Sequence, residues 1–241
     1  MIRKKTFTKL LGAALVGAAM LAPAHASVLT FDGDPTLVGH TDYMLQDSFE
    51  IDFYSNAPGA APGDLVGAIV DGADAGTCVG GSCPVNNPGT YYATLDDSYL
   101  DLWRPGGGGR GFQIKSFDAS FIGGTAPGTS YPAVAGLVRI QGILASGMSV
   151  IETYQLAGPA NNVFNFAHYN TTSSFGNYEF VEALIFGYAC NNAGSCSAFS
   201  TDRGQFGIDN IALAEVPEPA TTLLVGLGLV GLIAGTRRRN A

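Results

Sequence analysis

Glycine and proline cut the interior of this chain into short pieces. Three runs are too rich in them to sit inside a helix or a sheet: Ala57 to Asp64 (APGAAPGD), Pro105 to Gly111 (PGGGGRG) and Gly123 to Pro132 (GGTAPGTSYP). Glycine supplies positive φ and proline removes a backbone donor, so each run is read as a loop. Between such breaks lie segments of strand length: Ser27 to Phe31, Phe49 to Tyr54, Tyr99 to Arg104, Gly111 to Phe117, Leu137 to Leu144, Ser149 to Leu156, Asn162 to Tyr169, Tyr178 to Tyr188 and Phe206 to Leu213. Val138 and Ile140 alternate with Arg139 and Gln141, which predicts one dry and one wet face, whereas Val181 to Phe186 is nearly continuous and reads as a central strand. The expected fold class is all-β, a two-sheet antiparallel sandwich with a signal helix before it and a hydrophobic helix after it.

The balance of charge restricts the partners of such a body. Of 241 residues, four basic ones (Arg3, Lys4, Lys5, Lys9) crowd the N-terminus and three (Arg237, Arg238, Arg239) the C-terminus. From Ser27 to Val216 there are 19 acidic and 5 basic residues, a surplus that repels nucleic acid and anionic membrane surfaces. Neutral glycans, divalent cations and other proteins remain as partners, and nucleic acid does not.

Both ends address a membrane. Residues 1–26 carry a cationic stretch, an apolar run from Leu10 to Ala22, and Ala24-His25-Ala26, with small residues at the two positions a signal peptidase reads. This is the layout of a secretory signal peptide cleaved before Ser27. An uncleaved anchor helix is the alternative, disfavoured because the apolar run is shorter than the roughly 20 residues a span requires. Residues 216–241 run Val216-Pro217-Glu218-Pro219, then Ala220 to Ala234 (ATTLLVGLGLVGLIA), then Gly235-Thr236 and the three arginines. The prolines keep Glu218 on extended, accessible backbone. As a helix the apolar stretch would rise about 22 Å, short of a roughly 30 Å hydrocarbon core, which makes it a marginal anchor suited to temporary use. The arginines act as a cytoplasmic stop and leave the body, residues 27–215, outside.

Val-Pro-Glu-Pro, a short Gly- and Leu-rich span and a terminal arginine cluster resemble the PEP-CTERM sorting signal of exported proteins in Gram-negative, often biofilm-forming, bacteria. The resemblance implies recognition at Pro217-Glu218-Pro219 by an exosortase, a transient stay in the inner membrane, then display at the cell surface or release. An ordinary tail anchor is the alternative. Upstream, Gln205-Phe206-Gly207-Ile208-Asp209 resembles a subgroup carrying Gln-Phe-x-x-Asp before the anchor. Leu29-Thr30-Phe31-Asp32 and Ile208-Asp209-Asn210-Ile211 resemble the first and last strands of carbohydrate-binding jelly rolls, which lie side by side.

Cys78 and Cys83, and Cys190 and Cys196, straddle short runs of small residues. Export makes disulfides the expected state, and local pairing is favoured because small loops close easily. One zinc site of all four thiolates is the rival, disfavoured by the two-residue gaps that zinc ribbons use. No cofactor is expected, though if the first and last strands are neighbours, Asp32, Asp34, Asp209 and Asn210 would offer oxygens to a structural calcium ion. Their alternative reading is as strand-end and turn residues.

Chemistry beyond this finds little support. No Gly-x-Ser-x-Gly, His-Glu-x-x-His or phosphate-binding loop occurs, and His40 and His168 lack a neighbouring nucleophile in any such motif. Glu152, Glu179 and Glu182 would suit glycoside hydrolysis only if brought together in space. Trp103 and Tyr91, Tyr92, Tyr99 and Tyr131 offer faces for sugar rings, with burial in the core as the competing role. The expectation is a non-catalytic surface or matrix protein met by signal peptidase, exosortase and the membrane. A carbohydrate-binding module that meets extracellular polysaccharide is the second reading and a hydrolase the third.

Overall fold

The computed structural model describes residues 26–78, 83–95, 97–106, 111–124, 129–200 and 203–216. The expected signal and C-terminal helices, with Ala24, Pro217, Glu218, Pro219, Arg237, Arg238 and Arg239, lie outside the described residues. Among the described residues no helix is long and apolar enough to cross a membrane. The strands are β1 (Ala26–Leu29), β2 (Thr36–Gly39), β3 (Tyr43–Gln46), β4 (Phe49–Ser55), β5 (Leu65–Asp71), β6 (Thr90–Thr94) and β7 (Ser98–Trp103). After them come β8 (Phe112–Phe121), β9 (Val134–Leu144), β10 (Ser149–Ala157), β11 (Ala167–Asn170), β12 (Phe180–Cys190), β13 (Cys196–Ser197) and β14 (Phe206–Glu215). Single 3₁₀ turns at Ala75–Thr77 and Phe175–Asn177 are the helical exceptions among them.

The strands form one curled antiparallel sheet of 14 strands where two separate sheets were expected. One limb runs β3-β4-β7-β12-β9-β10 and the other β2-β5-β6-β14-β8-β11. They join where Phe180 of β12 pairs with Phe112 of β8. At 11 and 10 residues, β12 and β8 are long enough for their ends to meet, so the hydrogen bonding does not stop between the limbs. β1 lies antiparallel on β14, Ser27 opposite Leu213 and Leu29 opposite Ile211. β12 is central, paired with β7, β8, β9 and β13.

Alternation fixes which side of each limb turns inward. In β4 the buried residues are Phe49, Ile51 and Phe53, in β7 they include Leu100 and Leu102, and in β9 Val138 and Ile140. Rings from the two limbs meet across the core, Phe53 with Tyr92 at 4.6 Å and Phe49 with Phe112 at 5.5 Å. Burying each such phenylalanine contributes about 1.5–3 kcal/mol relative to exposure. A smaller cluster of Ala68, Val70, Tyr91, Ala93, Ile122 and Phe166 sits apart from it. The backbone of Val85 bridges that of Asn165 nearby, between Cys83 and Phe166.

Two sequence expectations need correction, and one strand was not expected. Tyr91 and Tyr92 are fully buried on β6, so they offer no face to a ligand. The strand expected from Asn162 begins only at Ala167, because Asn161 and Asn162 take φ of 53° and 62° in a turn, a region asparagine tolerates well. Residues 65–71 form a strand that the glycine at 67 disguised, and the Tyr92 ring lies over that glycine where a Cβ would collide with it.

Candidate functional site

The two ends of the described body meet on one strand pair. Ala26, which the signal-peptide reading puts at the end of the leader, lies opposite Ala214, and the strand carrying Ala214 ends at Glu215. That carboxylate is held twice: Oε2 accepts from Arg104 Nη2 at 2.9 Å and Oε1 from Ser48 Oγ at 2.7 Å. The Arg104 side chain is 8% exposed and its guanidinium lies over the Phe49 ring at 5.4 Å. Val216 therefore leaves a fixed strand end, and the sorting motif begins with no linker between it and the body.

A second assembly occupies the outer face of β4, β7 and β12. Cross-strand register sets Glu50 and Glu182 on either side of Trp103, Asp52 opposite Asp101, and Tyr54 opposite Tyr99. All seven are half-buried, so Trp103 stands on the surface and not in the core. Its indole Nε1–H donates to Asp52 Oδ2 at 2.9 Å, which locks the ring's orientation. The Asp101 carboxyl is pushed up to about 7 by its burial first, then by the charges of Glu182 and Asp52. Burial and the neighbouring Asp52 also raise Glu50. Further along the face, Tyr54 and Tyr99 lie 5.5 Å apart and Phe186 stacks on Phe199 at 5.2 Å. Flat rings beside oxygen acceptors, carried on strands, suit a hydroxylated ligand.

Three of the four residues expected to hold calcium are hydrogen-bonded to other side chains. Asp209 is 4% exposed, and its Oδ2 accepts from Asn87 Nδ2 at 2.8 Å and from Asn210 Nδ2 at 3.1 Å. Both amides thus turn N–H groups toward the carboxylate, where a cation would need oxygens. Asn210 has φ of 51° at a register shift of β14, and its amide also donates to Asp118 Oδ2 at 2.8 Å. Asp118 Oδ1 in turn lies 2.7 Å from His168 Nδ1 on β11. Asp32 accepts from Thr30 and Thr90, and Asp34 is exposed. Among the described residues no three His, Cys, Asp or Glu side chains gather as a metal site. Asn87 and Asp118 were not foreseen, because they lie 122 and 92 residues from their partners and carry no local motif.

The cysteines form two local disulfides, Cys78 with Cys83 and Cys190 with Cys196. The three glutamates considered for hydrolysis are not brought together. Glu152 pairs with the inward Ile140 and accepts from Tyr154 Oη, Glu182 pairs with the outward Ile143, and Glu179 lies beside Gly111.

Residues 215–239 match the PEP-CTERM protein-sorting motif, which supports exosortase-sorted export. No curated protein matches the chain in sequence. Among solved structures, a DUF4465 family protein from Bacteroides ovatus ATCC 8483 is similar over 79% of this chain and 99% of its own, at 9% identity and a TM-score of 0.42. The enzymatically active domain of tailspike protein 4 from bacteriophage CBA120 is similar over 81% of this chain and 20% of its own, at 13% identity and a TM-score of 0.26. A structure described as Family 16 Carbohydrate Binding Module-2 is similar over 61% of this chain and 84% of its own, at 14% identity and a TM-score of 0.27. At these scores the likenesses carry no functional argument.

Proposed function

We propose that this is an exported cell-surface or extracellular-matrix protein with a non-catalytic body, released from a signal peptide before Ser27 and processed by an exosortase at Pro217-Glu218-Pro219. The observation that carries the reading is the sorting motif at 215–239, which begins on the last residue of the last body strand. The marginal apolar segment holds the chain in the inner membrane only until that processing, and the arginines keep its end in the cytoplasm. The Gln205-Phe206-x-x-Asp209 run is read as the subgroup's body-to-anchor junction: Phe206 is fully buried and Asp209 is bonded to Asn87. The limbs of the curled sheet are read as the layers of a jelly-roll-like sandwich, a view supported by their shared core and by β1 lying on β14. Replacing Pro217-Glu218-Pro219 by three alanines is expected to leave full-length chain in the membrane fraction of its native host. Normal shortening and release of that variant would sink the reading.

A second reading is favoured by Trp103, held half-buried on an outer sheet face between Glu50 and Glu182 with its N–H fixed by Asp52. The body then binds neutral polysaccharide, the ring stacking on sugar C–H groups and the carboxylates accepting hydroxyls. Binding of neutral oligosaccharides that survives W103A unchanged would count against this face.

A further inference from the structure

A cleft of about 600 Å³ opens where β8 ends, β9 begins, β12 ends and the chain enters β14. That size suits a small ligand. Its lining includes Tyr131 and Pro132, the disulfide-closed turn of Asn191, Asn192 and Ser195, and Gln205 and Arg203. The body has 19 acidic residues, yet among the described residues no Asp or Glu lines this cleft. Arg203 makes no hydrogen bond or ion pair among the described residues, whereas Arg104 is paired with Glu215, Lys115 donates to the Gly176 carbonyl and Arg139 donates to Thr153.

The walls are built before any ligand arrives. Tyr131 Oη donates to the Gly124 carbonyl at 2.8 Å, and its ring packs edge-on against Phe164 at 5.1 Å. A Cβ at Gly123 would lie 2.4 Å from that Oη, so the close approach of ring to strand needs glycine there. Across the cleft, Asn191 Oδ1 accepts from the N–H groups of Ala193 and Ser195, each at 3.0 Å, and the Cys190–Cys196 bond closes the same turn. The Asn191 NH₂ group is left with donors to give. A preorganised wall spends little entropy when a ligand binds.

We infer that this cleft binds a carboxylated sugar unit, the uronate of an acidic polysaccharide, with the Arg203 guanidinium on the carboxylate and the Asn, Ser and Gln side chains on the hydroxyls. One planar guanidinium matches one carboxylate by a forked pair of N–H bonds. The Arg203 guanidinium gives this cleft a positive charge on an otherwise acidic body, so a uronate is favoured here over other parts of the surface. The cleft and the Trp103 face share no lining residue.

The test uses the full-length chain in detergent, with a short oligogalacturonate and its methyl-esterified, uncharged counterpart as calorimetric probes. The expected result is binding of the acid form, at least tenfold weaker binding of the ester, and weakening with added salt. R203Q lowers affinity for the acid form about ten- to a hundredfold, the worth of one charge-assisted contact. Arg203 is exposed, so the substitution leaves the core intact, and a thermal melt unchanged from the parent checks this. Absence of binding to the acid form, equal affinity for the ester, or an R203Q variant that binds like the parent would each overturn the inference.

Discussion

Glu215 and Arg104 stand 2.9 Å apart at the last residue of the last strand, the guanidinium nearly enclosed and the carboxylate about one-fifth exposed. Breaking such a pair from the acid side strands a buried cation whose Nε already has no partner. E215A is therefore expected to destabilise the body by about 3 kcal/mol, near the lower end for buried pairs because Glu215 is partly solvated. S48A, which removes one neutral donor from the same carboxylate, should cost only about 1 kcal/mol. Urea unfolding of the two variants checks the ranking.

Asp101 carries a pH dependence with a definite sign. Its folded-state value of about 7 lies above the ordinary 3.8, so the native chain holds the proton more tightly than the unfolded one. Its contribution to stability is whole below about 3.8 and is lost as pH rises through about 7. D101N, neutral at every pH, should flatten that fall and be more stable than the parent at about pH 8. Denaturation midpoints across this range decide the matter, and parallel curves for the two proteins would contradict it.

The Cys190–Cys196 bridge closes a loop with a sequence separation of 6. On the chain-entropy estimate, replacing both cysteines by serine costs about 2 kcal/mol. The loss should appear as a lower thermal midpoint in the double variant, and reductant, which also opens Cys78–Cys83, should lower the parent's midpoint further.

Much of the fold is visible in the residues themselves, because strand signals are local. Val138 and Ile140 lie inward and Arg139 and Gln141 outward as their alternation requires, and the apolar run in β12 takes the centre of the sheet. What stayed hidden depends on contacts distant in sequence. Gly142 reads as a weak point in a strand, yet the Phe180 ring packs where its Cβ would be, 2.2 Å away. The short strands β2, β3 and β13, of 4, 4 and 2 residues, are too brief to show a period. The continuity of the sheet rests on the pairing of Phe180 with Phe112, which no local pattern announces.

The sites divide along the same line. The sorting motif is contiguous and legible without a structure, since an enzyme must read it on extended chain. Trp103 was noticed as a residue, but its carboxylate neighbours come from three strands and only register reveals them. The calcium expectation missed the same kind of contact. It counted oxygens along two strands and could not see Asn87 turning its amide N–H toward Asp209.

The central claim is tested most directly by the intact mass of the protein recovered from its native envelope. The account predicts a polypeptide that begins at Ser27 and lacks everything beyond about Pro219. A mass that still includes Arg237, Arg238 and Arg239 would contradict it.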